Sequence, residues 1–335
     1  MMIKPKKVLY LSLILILFVL TAASCQNLRP SQHPLVQRDH VHNFGATRIA
    51  FAPSGKLLAS GGFQGEIKLW SVPGGKLIKT LKRHIKPVRG LVWVNNKTLI
   101  SAAEDGKLIR WNIASGRILY SKQLKAISSM VWSKTLQQIM TGHKNGQVSL
   151  RSVQKFSLLR KLKLSKKILS VSADKRGKYF AVSTSGRDVL LFNTRLQLLK
   201  KFKGARKKIY ELRFSPDNKT LAGSSWFNIL LWNVSTGQLE KNKTEHFGAI
   251  VSLDFHPDGK RMISIGRHTD ATLRLSQVKG GKTIRRLAAH EYCGWNVRFS
   301  PSGRYVASSS EDEGIRLYDM ATPYKPTFTP VTKPK

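Results

Sequence analysis

The sequence predicts an all-β chain folded as a seven-bladed β-propeller and closed into a ring by its N-terminal strand. Three observations carry that expectation. A strand-like segment recurs seven times, its aligned position falling on Trp70, Trp111, Arg151, Phe192, Trp232, Ser276 and Tyr318. The gaps are 41, 40, 41, 40, 44 and 42 residues, a period that gives one four-stranded blade per repeat. The last copy is followed by TPYKPTFTPVTKPK, whose four prolines disqualify it as a fourth strand. An unpaired segment, PLVQRDHVH (34–42), stands before the first full repeat and can supply the missing strand.

The elements follow in order. Lys4, Lys6 and Lys7 precede a 13-residue apolar run, VLYLSLILILFVL (8–20), and then TAASC ending at Cys25. This is the layout of a secretory signal, too short for a comfortable transmembrane helix. Residues 1–24 are therefore expected to be a signal peptide, 25–34 a tether, 35–322 the propeller and 323–335 a Pro/Lys-rich tail. Within each repeat an alternating strand such as RIAF (48–51), LRF (212–214) or VRF (297–299) runs into a turn. Four of these turns read PSGK (53–56), PDNK (216–219), PDGK (257–260) and PSGR (301–304). Proline presets φ, Asp or Ser bonds nearby backbone, and Gly or Asn tolerates positive φ, so each is a hairpin. A second strand follows, as in LLASGG (57–62), then the strand bearing the aligned position, then an outer one. The segment Leu35–Val41 is expected beside the strand at 315–320, where it removes an open sheet edge.

At this level the units resemble WD repeats. The resemblance covers about residues 35–320 and implies a protein-interaction scaffold with no catalytic centre and no cofactor. Two repeats, about 126–164 and 166–203, lack the leading His and the Trp, and only Tyr318–Asp319 forms an aromatic–Asp pair. The ending Ala22–Cys25 likewise resembles a bacterial lipoprotein signal, with Ala22 where Leu is usual. That resemblance implies a lipid on Cys25, and Gln26 in place of Asp implies the outer membrane facing the periplasm. With Cys25 modified, Cys293 has no intramolecular partner.

His84, Ser101, Asp105 and Trp111 could pass for a catalytic triad beside an aromatic wall. The set recurs as His290, Ser308, Asp312 and Tyr318, with spacings of 17 and 4 in one copy and 18 and 4 in the other. A catalytic site has no reason to repeat in equivalent blades, whereas a hydrogen-bonded network that fixes each blade does. The WD resemblance assigns the same residues to a structural tetrad. His42 and His246 also occupy the leading position, and the spacing of His40 and His42 gives two imidazoles without a third metal ligand. GGKT (280–283) lacks the earlier glycine of a phosphate loop. What remains is a binding surface: by alignment Arg89, Tyr210 and Trp295 lie at strand starts around the propeller mouth, as interface anchors or as packing between blades.

Charge supplies the second surface. Lys and Arg number 58 against 18 Asp and Glu, a net +40 and a pI near 10.7, and no acid occurs between Asp105 and Asp174. The outermost strand and its exit loop recur as KLIKTLKR (76–83), LLRKLKLSKK (158–167), LLKKFKGARKK (198–208) and KTIRRLAAH (282–290). Alternation predicts one face packed inward and one charged. Edge protection needs a charge or two per strand. The excess at Arg160, Lys161, Lys163, Lys166, Lys167, Lys200, Lys201, Lys203, Arg206, Lys207 and Lys208 points to a polyanionic partner. For an exported chain that partner is acidic lipid, lipopolysaccharide or an acidic envelope protein, rather than nucleic acid. The expected function is a membrane-anchored, noncatalytic scaffold with a basic surface. The alternatives are an enzyme or ligand-binding protein using the central mouth, and an intracellular polyanion binder.

Overall fold

The computed structural model describes residues 32–267 and 270–322. Twenty-eight strands form seven four-stranded antiparallel sheets among these residues. Six sheets take their strands consecutively from the chain. The seventh combines β26 (Gly294–Phe299), β27 (Tyr305–Ser310) and β28 (Ile315–Asp319) with β1 (Val36–Arg38). The closing strand is shorter than the Leu35–Val41 expected, and pairs Val36 with Leu317 and Arg38 with Ile315. Beyond it the chain leaves the ladder, because Val41 and His42 both donate their amides to the Glu313 carbonyl. Gln32 forms a clasp across two blades. Its amide donates to the Asp319 carbonyl at 2.6 Å, and it accepts from Arg285 at 2.7 Å and from the Ala288 amide at 2.8 Å.

Alternation along the second and third strands buries apolar residues on both faces, so the core lies between blades. One cluster joins Leu69, Leu81 and Ile67 of the first blade to Leu99, Ile109 and Trp111 of the second. Comparable clusters follow around the ring. The two repeats without a Trp are blades as well, with Arg151 and Phe192 buried at the aligned position. Arg151 is tolerated there because its guanidinium donates to the Phe156 carbonyl at 3.0 Å.

The outer strands depart from expectation. Both members of the pairs Leu77–Ile78, Ile118–Leu119, Leu158–Leu159 and Leu198–Leu199 are exposed. In each of these blades the ladder shifts register at the second residue of the outer strand. A bulge there breaks the alternation that should turn one residue inward. The fifth blade has no such shift, and its single leucine, Leu239, is half-buried.

Candidate binding face

The repeated His–Ser–acid sets come first, because they fix the blades that carry the face. His84 Nε2 lies 2.8 Å from Ser101 Oγ, its Nδ1 lies 3.1 Å from Asp105, and Trp111 Nε1 donates to Ser101 Oγ at 2.8 Å. The carboxylate only accepts, so Nδ1–H faces Asp105, and Ser101 Oγ bridges the indole and Nε2. In the last blade His290 Nε2 sits 2.8 Å from Ser308 Oγ and Nδ1 sits 2.7 Å from Asp312. There the Tyr318 hydroxyl donates to the Ala288 carbonyl at 2.7 Å.

Two further networks escape a search for an acid four residues after the serine. His42 joins Ser60 at 2.7 Å and Glu66 at 2.5 Å, with Trp70 Nε1 donating to Ser60 at 2.8 Å. His246 joins Ser264 at 2.9 Å and Asp270 at 2.7 Å. In both the acid comes six residues after the serine. The His-to-Ser spacing of 18, shared with His290 and Ser308, is the signal that finds them. All these histidines are buried. His40, by contrast, is on the surface beside Glu313 at 3.1 Å, so the two imidazoles of the H-V-H segment do not share a site.

Burial, the largest cause, holds the imidazoles of His42, His143, His246 and His290 below the ordinary value of 6.5, against the pull of their acceptors. Burial alone would raise the Asp312 carboxyl, yet His290 and backbone donors hold it at about 2. Both kinds of group bind more protons when unfolded, so stability rises with pH through these ranges. The expected result is a melting temperature that falls as pH drops below 6.5, when the histidines charge on unfolding. It falls again from about 4 towards 2 as the carboxylates protonate. A scan by differential calorimetry from pH 8 to 3 checks this, and a flat profile between pH 7 and 5 contradicts it.

The innermost strands of the seven blades line a central channel. Arg298 pairs with Glu211 midway along it, Arg213 reaches Glu211 at 3.2 Å and Asp254 at 3.9 Å, and Ser252 donates to Glu211 at 2.6 Å. Burial would raise the Glu211 pKa, but Arg298 and Arg213 outweigh it and hold the carboxyl at about 2. A cavity of about 220 Å³ opens at the strand starts, and a larger one of about 360 Å³ runs along the channel to the strand ends. Arg89, Tyr210 and Trp295 line the smaller one together with Arg48, Glu104, Lys144, Lys167 and Arg267. Arg89 Nε donates to Glu104 at 2.9 Å, and Lys144 pairs with the same carboxylate. The Arg267 guanidinium lies 4.2 Å from the Trp295 ring centroid and that of Arg89 lies 5.7 Å away, both cation–π contacts. The Tyr210 hydroxyl accepts from Trp226 Nε1 at 2.8 Å. Trp295 Nε1 is buried without a hydrogen-bond partner.

Exposed apolar residues surround this mouth, and the alignment had not marked them. Phe44, Phe247 and Tyr292 are 66%, 65% and 62% exposed, and Ile85, Phe63 and Phe227 are also exposed. Ile85, Phe247, Phe44 and Tyr292 fall one or two residues after a leading His. Each such loop runs into the start of an innermost strand, the end of the ring where Arg89 and Trp295 lie. Phe63 and Phe227 follow second strands at that same end, and Phe44 and Phe63 meet with ring centroids 6.3 Å apart. Scattered exposed apolar residues are ordinary, but several gathered on one face mark an interaction surface.

The basic residues divide. Arg160, Lys161, Lys163, Lys166, Lys201, Lys203, Arg206, Lys207 and Lys208 are exposed. Lys201 pairs with Asp188 at 2.6 Å, Lys163 donates to the Asn145 carbonyl, and half-buried Lys200 donates to the Ser235 carbonyl of the next blade. Lys167 lines the mouth, where burial above all, then Lys144, lowers its pKa. It is exposed as well, in the exit loop that follows the outer strand after Lys163 and leads to the next innermost strand. The tether and Cys25 lie outside the described residues, and Cys293 is half-buried. Among the described residues no three His, Cys, Asp or Glu side chains gather as a metal would require. No described helix is long and apolar enough to cross a membrane.

Comparison with known proteins gives a consistent picture. The family described as "WD domain, G-beta repeat" matches residues 34–71, 75–112, 196–233, 237–275 and 281–319, more than half of the chain. The gap at 113–195 holds the two blades that lack the leading His and the Trp. Autophagy-related protein 16 of Arabidopsis thaliana is 24% identical over 291 residues, covering 85% of this chain and 49% of that protein. The ribosome biogenesis protein WDR12 homolog of Nematostella vectensis is 23% identical over 316 residues, covering 89% and 71%. A guanine nucleotide-binding protein subunit beta of Oryza sativa subsp. japonica is 22% identical over 255 residues, covering 73% and 58%. The chain spans about half the length of the first of these, and 29% of periodic tryptophan protein 2 of Arabidopsis thaliana.

Proposed function

The chain belongs to the WD-repeat family, and from that premise we propose that it is a noncatalytic scaffold that docks a partner protein on the mouth face. The observation that carries this reading is the set of exposed aromatic residues, Phe44, Phe247 and Tyr292 among them, around a mouth lined by Arg89, Tyr210 and Trp295. Aromatic and arginine side chains are the groups that dominate binding energy at protein interfaces. The His–Ser–acid networks are absorbed by structure, since they recur in four blades with each histidine bonded to both its serine and its acid. In-cell crosslinking followed by capture tests the docking. Replacing Phe44, Phe247 and Tyr292 together by Ser is expected to reduce the captured partner at least tenfold. Capture equal to wild type overturns the reading.

The proposal extends to place. The signal-like N-terminus and Cys25 support a lipoprotein held at a bacterial envelope, with the outer membrane facing the periplasm as its site. Acyl chains supply about 0.8 kcal/mol per buried CH₂, enough for two or more chains to anchor the protein unaided. The exposed lysines of the outer strands then orient it against acidic lipid or lipopolysaccharide at about 1 kcal/mol each. The aliphatic pairs beside them, such as Leu158–Leu159, support contact with a lipid surface. Labelling with a fatty-acid analogue checks the anchor: Cys25→Ala is expected to abolish label and membrane fractionation, and retention of both contradicts it.

A further inference from the structure

The mouth holds more positive charge than its own acids neutralise. Five cations line it, Arg48, Arg89, Lys144, Lys167 and Arg267. Among the described residues only two carboxylates meet them, Glu104 shared between Arg89 and Lys144, and Glu311 beside Arg267. Arg48 has no ion pair among the described residues. Its Nε donates to the Arg89 carbonyl at 3.3 Å and a terminal nitrogen to the Thr47 carbonyl at 2.9 Å. Carbonyl dipoles orient a guanidinium but do not neutralise it, and a half-buried unpaired cation is costly. Burial above all lowers its pKa, Glu211 further along the channel pulls it back up without an ion-pair contact, and the neighbouring guanidinium groups push it down again, to about 10, so it stays charged at neutral pH. Deeper in the channel the account closes, since Arg213 and Arg298 face Glu211 and Asp254. The excess therefore sits at the mouth itself, beside the buried and unpartnered Trp295 N–H.

We propose that the mouth receives a Glu or Asp side chain from an acidic segment of the docked protein, with Arg48 as its principal counter-ion. The inference rests on the docking reading above and names the chemistry of its partner. A carboxylate is the acceptor that a guanidinium fork and a nearby ammonium, here Lys167, satisfy together. A free small anion would use the same cations but leave Phe44, Phe247 and Tyr292 in water. A polypeptide segment covers both, with the acid inserted and its flanks on the aromatic ring.

The test is fluorescence anisotropy with a labelled, acetylated hexaglutamate peptide at physiological salt, against full-length protein. One saturable site is expected, weakened tenfold or more by Arg48→Gln and retained within a few-fold by Arg48→Lys. Lys219→Gln removes the same charge from an exposed turn at the far end of the ring and is expected to stay within twofold of wild type. Should Arg48→Gln not fold, Lys167→Gln is expected to weaken the peptide by at least threefold. Wild-type affinity in the mouth variants, or equal weakening by Lys219→Gln, overturns the inference. Displacement of the peptide by equimolar inorganic phosphate overturns it too, in favour of a small-anion site. If cellular capture survives Arg48→Gln but not the triple aromatic change, docking stands and the acidic segment fails. If capture survives both, docking itself fails.

Discussion

Deletion of residues 32–41 is expected to destabilise the chain more than any single substitution and to leave it prone to self-association. The deletion removes β1, which supplies the fourth strand of the last blade, and with it the Gln32 clasp on Asp319, Arg285 and Ala288. Val36 also packs over the turn at Gly75, where its methyl fills the space a Cβ would need at a positive φ of 62°. Losing the burial of half-buried Val36 and buried Val41 alone costs roughly 2–4 kcal/mol. The β28 ladder then lies open beside Ile315 and Leu317, a template for pairing with a second copy. Thermal melting and light scattering check this. A deleted chain that stays monomeric and melts within a few degrees of wild type would show that the ring does not depend on the clasp. His42 is deliberately retained, because it belongs to the first blade's network.

Asp312→Ala carries the second large effect. The carboxylate accepts from His290 at 2.7 Å, from the Gly314 amide at 3.0 Å and from the Glu291 amide at 3.2 Å, and it lies 3.6 Å from Arg316. Removal leaves a buried imidazole, two amides and a buried guanidinium without their acceptor. Breaking a buried charged pair from one side costs about 3–5 kcal/mol, which at this size corresponds to a melting temperature lower by roughly 5–8 °C. Asp312→Asn keeps the shape and one acceptor oxygen, so it is expected to lose less. A loss under 1 kcal/mol for the alanine variant would mean the network contributes little. It would also reopen the possibility that the repeated His–Ser–Asp set has a chemical use.

These two effects lie where local sequence pattern and packing agree. The closing strand was legible because four prolines ruled out the obvious fourth strand, while an unpaired segment waited at the other end. The tetrads at His84 and His290 were legible by spacing. The networks at His42 and His246 share the His-to-Ser spacing, but their acids lie two residues further on, and spacing alone does not reveal how a longer loop folds back. Alternation misread the outer strands for a physical reason: a bulge at the second residue exposes both Leu158 and Leu159, and sequence does not announce it. That Lys167, in the exit loop, also lines the mouth was not legible, because a charge run does not show where the chain leaves the rim for the channel.

The mouth shows the same division. Arg89, Tyr210 and Trp295 were found by alignment and do line one cavity. Phe44, Ile85, Phe247 and Tyr292 were in view after the leading histidines, but an apolar residue in a loop reads as core until its exposure is known. Arg48 stood in the alternating strand RIAF as an ordinary polar position. Only the ring brings it into the field of Glu211 while leaving it without an ion-pair contact among the described residues.

Docking at the mouth face is the central claim, and site-resolved photocrosslinking in intact cells tests it most directly. A photoreactive residue is placed at Tyr292 on the mouth face, at Leu159 on the rim or at Lys260 in an exposed turn at the far end. The account predicts a discrete protein adduct from position 292 and none from position 260, with any adduct at 159 being lipid. A protein adduct from 159 or 260 with none from 292 would contradict it.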